Sequence, residues 1–141
     1  MHVLSHQGFL CAQSERGWKR RVVQRPGNVS ALLLTNFTFG RVDYLYGHTD
    51  RKLRWPGGGI LISITDWTGA ATKAMKSEYP SSGRLRVAAK DFAPFEGVAN
   101  LGQRRVRFEK HLLELWVQAR PTTIRTITEA NRELARVSVC G

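Results

Sequence analysis

Trp55-Pro56-Gly57-Gly58-Gly59-Ile60-Leu61-Ile62-Ser63-Ile64-Thr65-Asp66-Trp67 is the stretch that decides the fold. A proline and three glycines feed into a run of β-branched residues. Side chains alternate along an extended chain, so Ile60, Ile62 and Ile64 share one side and Leu61, Ser63 and Thr65 the other. The run is short, apolar and closed by Asp66. That pattern predicts a mostly buried strand reached through a sharp turn. Proline fixes its own φ and glycine reaches φ values closed to other residues, which suits such a turn.

Working outward from this strand, Val29 to Phe39 is the longest β-like run. Val29, Ala31, Leu33, Thr35, Phe37 and Phe39 share one side, and the middle of the run is apolar on both sides, as in a strand inside a sheet. Before it, Gly17-Trp18 opens a short basic strand, Lys19 to Val23, that stops at the turn signal Arg25-Pro26-Gly27-Asn28. Residues 1–16 read as a loosely ordered segment. Gly40 to Arg54 is a polar connection.

On the C-terminal side, Gly69 to Ser77 is rich in Ala, Met and Lys and predicts a helix of two turns. Leu85 to Phe92 alternates as a strand with Leu85, Val87 and Ala89 inward. Arg104 to Ala119 predicts a hairpin reversing near Glu109 to His111. Leu113, Leu115, Val117 and Ala119 would point inward, and Leu112, Glu114 and Trp116 outward. Pro121 breaks the chain, and Thr122 or Thr123 can cap a final helix. Its apolar positions are Ile124, Ile127, Asn131 or Ala130, and Leu134. Glu129 lies one turn before Arg132, which predicts pairing on the exposed side. Val137 to Val139 reads as a short terminal strand. Together these predict a single α+β domain over residues 17–141. It is a mostly antiparallel β-sheet of about five to six strands with the C-terminal helix packed on one face.

The chain has 141 residues, of which 42% are apolar. A domain of this size buries about 70% of the surface of its extended chain, enough for an ordinary core. No stretch approaches the ~20 apolar residues needed to span a bilayer. Met1 to Ser14 has no Lys or Arg, so it lacks the basic start of a signal peptide. The expectation is a cytoplasmic protein, or an envelope protein whose export segment lies upstream of Met1. Twenty-two Lys and Arg against eleven Asp and Glu give a net charge of +11. Such a cation attracts phosphates, anionic lipids and acidic polymers. Cys11 and Cys140 are either one disulfide closing a very long loop or two ordinary thiols.

Gly17-Trp18 opening a strand, Phe37 in the second strand, the Pro56-Gly57-Gly58-Gly59 turn into a buried strand, a late hairpin and a final helix ending Ala130-Asn131-Arg132-Glu133-Leu134 occur here in that order. This order resembles small uncharacterised actinobacterial proteins, usually exported or membrane-anchored, with an α/β shape like that of the PsbP and Mog1-type domains. The resemblance covers residues 17–139. It implies an antiparallel sheet with helices on one face and a bacterial envelope protein, and it carries over no catalytic residue.

The remaining motifs point away from most enzyme classes. Gly57-Gly58-Gly59 precedes a strand, whereas a phosphate cradle precedes a helix, so it reads as a turn. His48, Asp50 and Asp43 are too few to define a metal site, and no cofactor is implied. No Gly-x-Ser-x-Gly is present. An enzyme reading would gain only if folding gathered Asp66, Asp91, His48 or His111 in one pocket. The cations fall in clusters: Lys19, Arg20 and Arg21; Arg51, Lys52 and Arg54; Arg84, Arg86 and Lys90; Arg104, Arg105 and Arg107. The candidate anion or nucleic-acid contacts are Arg20, Arg21, Arg51, Lys52, Arg54, Arg104, Arg105 and Arg107. No RNP1, KH or zinc-finger signature accompanies them. The sequence therefore predicts a non-enzymatic, envelope-associated domain that binds a protein or an anionic ligand. The alternative is a nucleic-acid-binding module with its Arg clusters on one sheet face; salt-dependent retention on heparin and DNA separates the two.

Overall fold

The structure, a computed structural model, describes residues 9–25, 27, 29–38, 55–80, 83–95 and 100–140. Strands β2 (Lys19–Arg25), β3 (Val29–Thr35), β4 (Gly59–Asp66), β5 (Phe92–Ala93), β6 (Asn100–Phe108) and β7 (His111–Arg120) form one sheet in the order β2-β3-β4-β7-β6-β5. Every pairing in it is antiparallel. Strands β1 (Phe9–Ala12) and β8 (Val137–Cys140) form a separate antiparallel ribbon. Helices α1 (Lys73–Ser77) and α2 (Ile124–Leu134) complete the α+β domain. No helix among the described residues is long and apolar enough to cross a membrane.

The quoted stretch is β4, and it lies inside the sheet. Ile62 stands between Leu34 of β3 and Val117 of β7. Ile60, Ile62 and Ile64 are each 0% exposed. The turn before it is closed by Gly59 N–H donating to Pro56 O at 2.9 Å, with Gly58 at φ +83°, a conformation glycine adopts without penalty. Asn36 clamps this turn from the neighbouring strand. Its Oδ1 accepts from Ile60 N at 2.7 Å and its Nδ2 donates to Gly58 O at 3.0 Å. Trp55 Nε1 donates to Gly59 O at 2.8 Å. A Cβ at Gly59 would lie 2.9 Å from that same Nε1 and 3.0 Å from Pro56 O, so the packing admits only glycine comfortably.

The clamp also shortens β3. The expected strand to Phe39 stops at Thr35, because Asn36 turns to β4 and Thr35 Oγ1 bonds Phe37 N and O in a local turn. Phe39 and the connection from Gly40 to Arg54 lie outside the described residues.

On the Ile60 side of the sheet sits α2. Thr123 caps it, accepting from Thr126 N, and its last turn hands the chain to β8. The buried stripe is Thr126, Ala130, Glu133 and Leu134. Ile124, expected in the core, is 87% exposed. Thr126 Oγ1 donates to Pro121 O at 2.7 Å, which turns the first helical turn so that Thr126 faces inward. Glu129 pairs with Arg125 rather than with Arg132, which reaches Glu15 instead.

The expected strand Leu85 to Phe92 is absent as such. Leu85 and Val87 do enter the core. Val87 bonds not to a neighbouring strand but to a side chain: Asn131 Oδ1 accepts from Val87 N and Asn131 Nδ2 donates to Val87 O, both at 2.8 Å. The amide of one helical residue stands in for a strand partner. A 3-10 turn then covers Ala89–Asp91, and Ala89 is exposed.

Within the segment 1–16, read from sequence as loosely ordered, Phe9–Ala12 is paired with Val137–Cys140. Cys11 and Cys140 form a disulfide across this ribbon, their Cα atoms 5.8 Å apart and 129 positions apart in sequence. Leu10 and Ala12 pack against the main core.

The opposite side of the sheet is also covered. The hairpin reverses at Glu109 and Lys110, both at positive φ, as a two-residue turn of the primed type requires. Leu112, expected to face solvent, is buried on this side. The segment holding α1 lies over it, with Thr72 capping the helix through Met75 N at 3.1 Å. Arg107 holds it by donating to Pro80 O at 3.1 Å and Lys76 O at 3.0 Å, and Arg105 by an ion pair with Glu78 at 2.6 Å. The Phe95 ring stands edge-on to Trp116 at 6.0 Å.

Candidate functional site

The other flank of the sheet carries the candidate site. Strand β2 has β3 on one side and, among the described residues, no strand on the other. Its register places Arg20 opposite Leu34 and Val22 opposite Leu32, on the α2 side. Lys19 lies opposite Thr35 and Arg21 opposite Leu33, on the other side. There a groove of about 250 Å³ is lined by Lys19, Arg20, Arg21, Leu33, Thr35, Phe37, Thr38 and Leu61. Leu33 and Leu61 are buried and give it an apolar floor. Phe37 reaches the groove because of the turn at Asn36, and its ring leans on Trp55 at 5.0 Å.

The electrostatics of the groove are one-sided. Among the described residues three cations line it and no carboxylate does. Lys19 Nζ donates to the neutral Thr38 Oγ1 at 2.6 Å, which aims the ammonium along the rim. Lys19 and Arg20 have no carboxylate partner among the described residues. A cavity this size is below the ~300–1,000 Å³ that encloses a drug-sized molecule, and it suits a single side chain or a small anionic group.

The other sequence-predicted cations go elsewhere. Arg51, Lys52 and Arg54 lie outside the described residues. Arg104 donates to Arg86 O at 3.0 Å, on the α2 side. Arg105 and Arg107 hold the α1 segment. Strands β3, β4 and β7 separate these arginines from β2, which is roughly 19 Å at ordinary strand spacing. Among the described residues the β2 and β6 clusters therefore do not merge into one basic face.

The carboxylates and histidines divide as well. Asp66 and His111 do meet: His111 Nδ1 donates to Asp66 Oδ2 at 2.7 Å, and both side chains are largely buried. Asp66 Oδ1 accepts from Thr68 N at 2.9 Å and Thr68 Oγ1 at 2.6 Å. Thr68 Oγ1 in turn accepts from Leu112 N at 2.9 Å. This network pins the end of β4 to the start of β7. The carboxylate orients the imidazole as in a general-base pair, but among the described residues no hydroxyl or thiol is hydrogen-bonded to His111. Asp91 is remote in role, capping its own turn by accepting from Ala88 N at 2.8 Å. His48 and Asp43 lie outside the described residues. Among the described residues no three His, Cys, Asp or Glu converge as metal ligands.

Sequence reasoning named Arg20 and Arg21 but missed Leu33, Thr35, Phe37, Thr38 and Leu61 as parts of the same site. The alternation of the β3 run already put Leu33, Thr35 and Phe37 on one side. The missing signal was the β2–β3 register that sets Lys19 and Arg21 against that side. No known protein family, curated protein or solved structure matches the chain.

Proposed function

We propose that this protein is a non-enzymatic, envelope-associated binding domain that engages an anionic partner at the β2 groove. The observation that carries the reading is the groove itself: cations at the rim, an apolar floor and, among the described residues, no carboxylate in the lining. Opposite charges with low-dielectric walls concentrate such a partner at the surface. The envelope assignment is supported by the Cys11–Cys140 disulfide, since disulfides persist in oxidising compartments. The resemblance to exported actinobacterial proteins points the same way.

The test is retention on immobilised polyglutamate, heparin and DNA over a salt gradient, for the parent and for a Lys19→Glu, Arg20→Glu variant. Both side chains are exposed, so the variant is expected to fold and melt like the parent. Retention of the parent should weaken with salt, and the variant should elute at markedly lower salt on polyglutamate. Equal retention of the two proteins overturns the site. The nucleic-acid reading is favoured instead if DNA retains the parent far more strongly than polyglutamate does, with a steep salt slope.

A further inference from the structure

We infer that a second groove, between the end of α2 and the segment 84–86, binds a small amphiphilic carboxylate of the class of a medium-chain fatty acid. This groove shares no lining residue with the one beside β2. It encloses about 350 Å³. The buried Leu85, Leu134 and Val137 and the partly buried Phe108 give it apolar walls. Arg84 and Arg86 line it too. Leu85 and Val87 turn into the core, which leaves the alternate residues Arg84 and Arg86 outside it and exposed.

The walls are held from both sides. The Asn131 amide ties Val87 to α2 through two hydrogen bonds, and Arg104 ties Arg86 O to β6. Both amide atoms of Asn131 are engaged in that task, so the lining side chains left to meet a polar ligand are the two arginines. Cations on a protein of this net charge often serve only solubility. These two differ from their neighbours Arg105 and Arg107, which are bound to Glu78 and to main-chain carbonyls. Among the described residues neither the Arg84 nor the Arg86 guanidinium has a hydrogen bond or an ion pair, and no carboxylate lines the groove.

Size and charge together select the occupant. A cavity of ~150 Å³ takes benzene, so this one suits an apolar chain of roughly eight to twelve carbons. An inorganic anion would leave Phe108, Leu134 and Val137 facing water, and a neutral hydrocarbon would leave the guanidiniums unused. A carboxylate on an apolar tail satisfies both, because a guanidinium holds a carboxylate through two parallel hydrogen bonds. The fold also sets its direction. Leu134 ends α2, and a helix C-terminus carries partial negative charge that repels an anion. The head group therefore belongs at Arg84 and Arg86, and the tail over Leu134 and Val137.

The experiment titrates the whole chain with octanoate, with 1-octanol, which keeps the tail, and with acetate, which keeps the head group. Calorimetry reads affinity and stoichiometry, and methyl NMR reads the place of binding. Octanoate should bind as one molecule per chain and shift the methyl signals of Leu134 and Val137. Octanol and acetate should each bind at least about tenfold more weakly, as should octanoate to an Arg84→Gln, Arg86→Gln variant. Both arginines are exposed, so that variant is expected to melt like the parent. The Lys19→Glu, Arg20→Glu variant should bind octanoate as the parent does. Equal affinity for octanoate and octanol, or equal binding by parent and Arg84→Gln, Arg86→Gln protein, overturns the site. So does binding of many octanoate molecules with shifts spread over the surface, which is adsorption to a basic protein. No binding of octanoate overturns it as well, including the case in which phosphatidylglycerol vesicles move the same methyl signals, which assigns the groove to a membrane lipid.

Discussion

β4 and β2 are both short strands with β-branched residues, and only β3 lies between them. Ile62 at the centre of β4 is 0% exposed, and Val22 near the centre of β2 is 53% exposed. Local composition explains part of the contrast, since β2 carries four cations where β4 carries isoleucine and leucine. Position in the sheet order explains the rest. β4 has a ladder on each side and a covered layer on each face, so even its polar Ser63 and Thr65 are buried. Among the described residues β2 has one ladder, and Lys19, Arg20 and Val22 are exposed. A strand in the first position holds the fold together; a strand in the second flanks the groove for which binding is proposed.

The contrast is broken most directly by placing the same charge at both sites. Ile62→Asp puts an unpaired carboxylate among Leu34, Val117 and their neighbours. It should cost about 3–5 kcal/mol or unfold the domain outright. Val22→Asp should change stability by no more than about 0.5 kcal/mol, as at ordinary surface sites. Urea midpoints of the two variants settle the matter. An Ile62→Asp protein that melts with the parent would mean that β4 is not the interior strand.

A second place where each strand has one ladder among the described residues sharpens the comparison. The β1–β8 ribbon has a single ladder, and a two-stranded ribbon is marginal alone. Packing of Leu10, Ala12 and Val137 on the core helps it, and the Cys11–Cys140 disulfide staples it. Replacing both cysteines by serine should cost about 2–5 kcal/mol, chiefly by freeing the unfolded chain. Amides of Leu10 and Val139 should then exchange well before those of β4. Unchanged midpoints in the double variant would show that packing alone holds the ribbon.

How far these roles could be read from the sequence follows the same division. Ile60, Ile62 and Ile64 were legible because a period of two and a glycine turn act locally. The hairpin and the α2 cap were legible for the same reason, even though Glu109 and Lys110 are poor residues for their turn. What was not legible depends on contacts made at long range. Leu85 to Phe92 reads as a strand, but the partner of Val87 is the Asn131 amide, 44 positions away. Ile124 fits an apolar stripe until Thr126 fixes the rotation of the helix. The site was half visible: the cations of β2 were plain, whereas the floor of Leu33 and Leu61 needed the β2–β3–β4 register. The Asp66–His111 pair, 45 positions apart, needed the register of β4 with β7.

The smallest expected effect separates the covered half of the sheet from the open one by titration. Tyr79 lies in the segment over β7 and is buried. Burial raises its phenol pKa above the ordinary 10.0, the Glu114 carboxylate adds to this, and Arg105 partly opposes it. Asp66 and Glu78 raise it further. The phenol is neutral when protonated, so the folded state holds this proton more tightly than the unfolded state does. The associated stability is complete below pH 10.0 and declines as pH rises from there through the raised folded-state value. Among the described residues the β2 groove has no buried acid group to contribute on this limb. Tyr79→Phe should therefore lose less stability than the parent as pH climbs from about 9 to 11, with little difference at neutral pH. Lysines deprotonate in both proteins over this range, so the difference between their urea midpoints isolates the phenol. Parallel decline of the two curves would mean that Tyr79 ionises as freely in the folded protein as in the unfolded one, and that the cover over β7 is open to water.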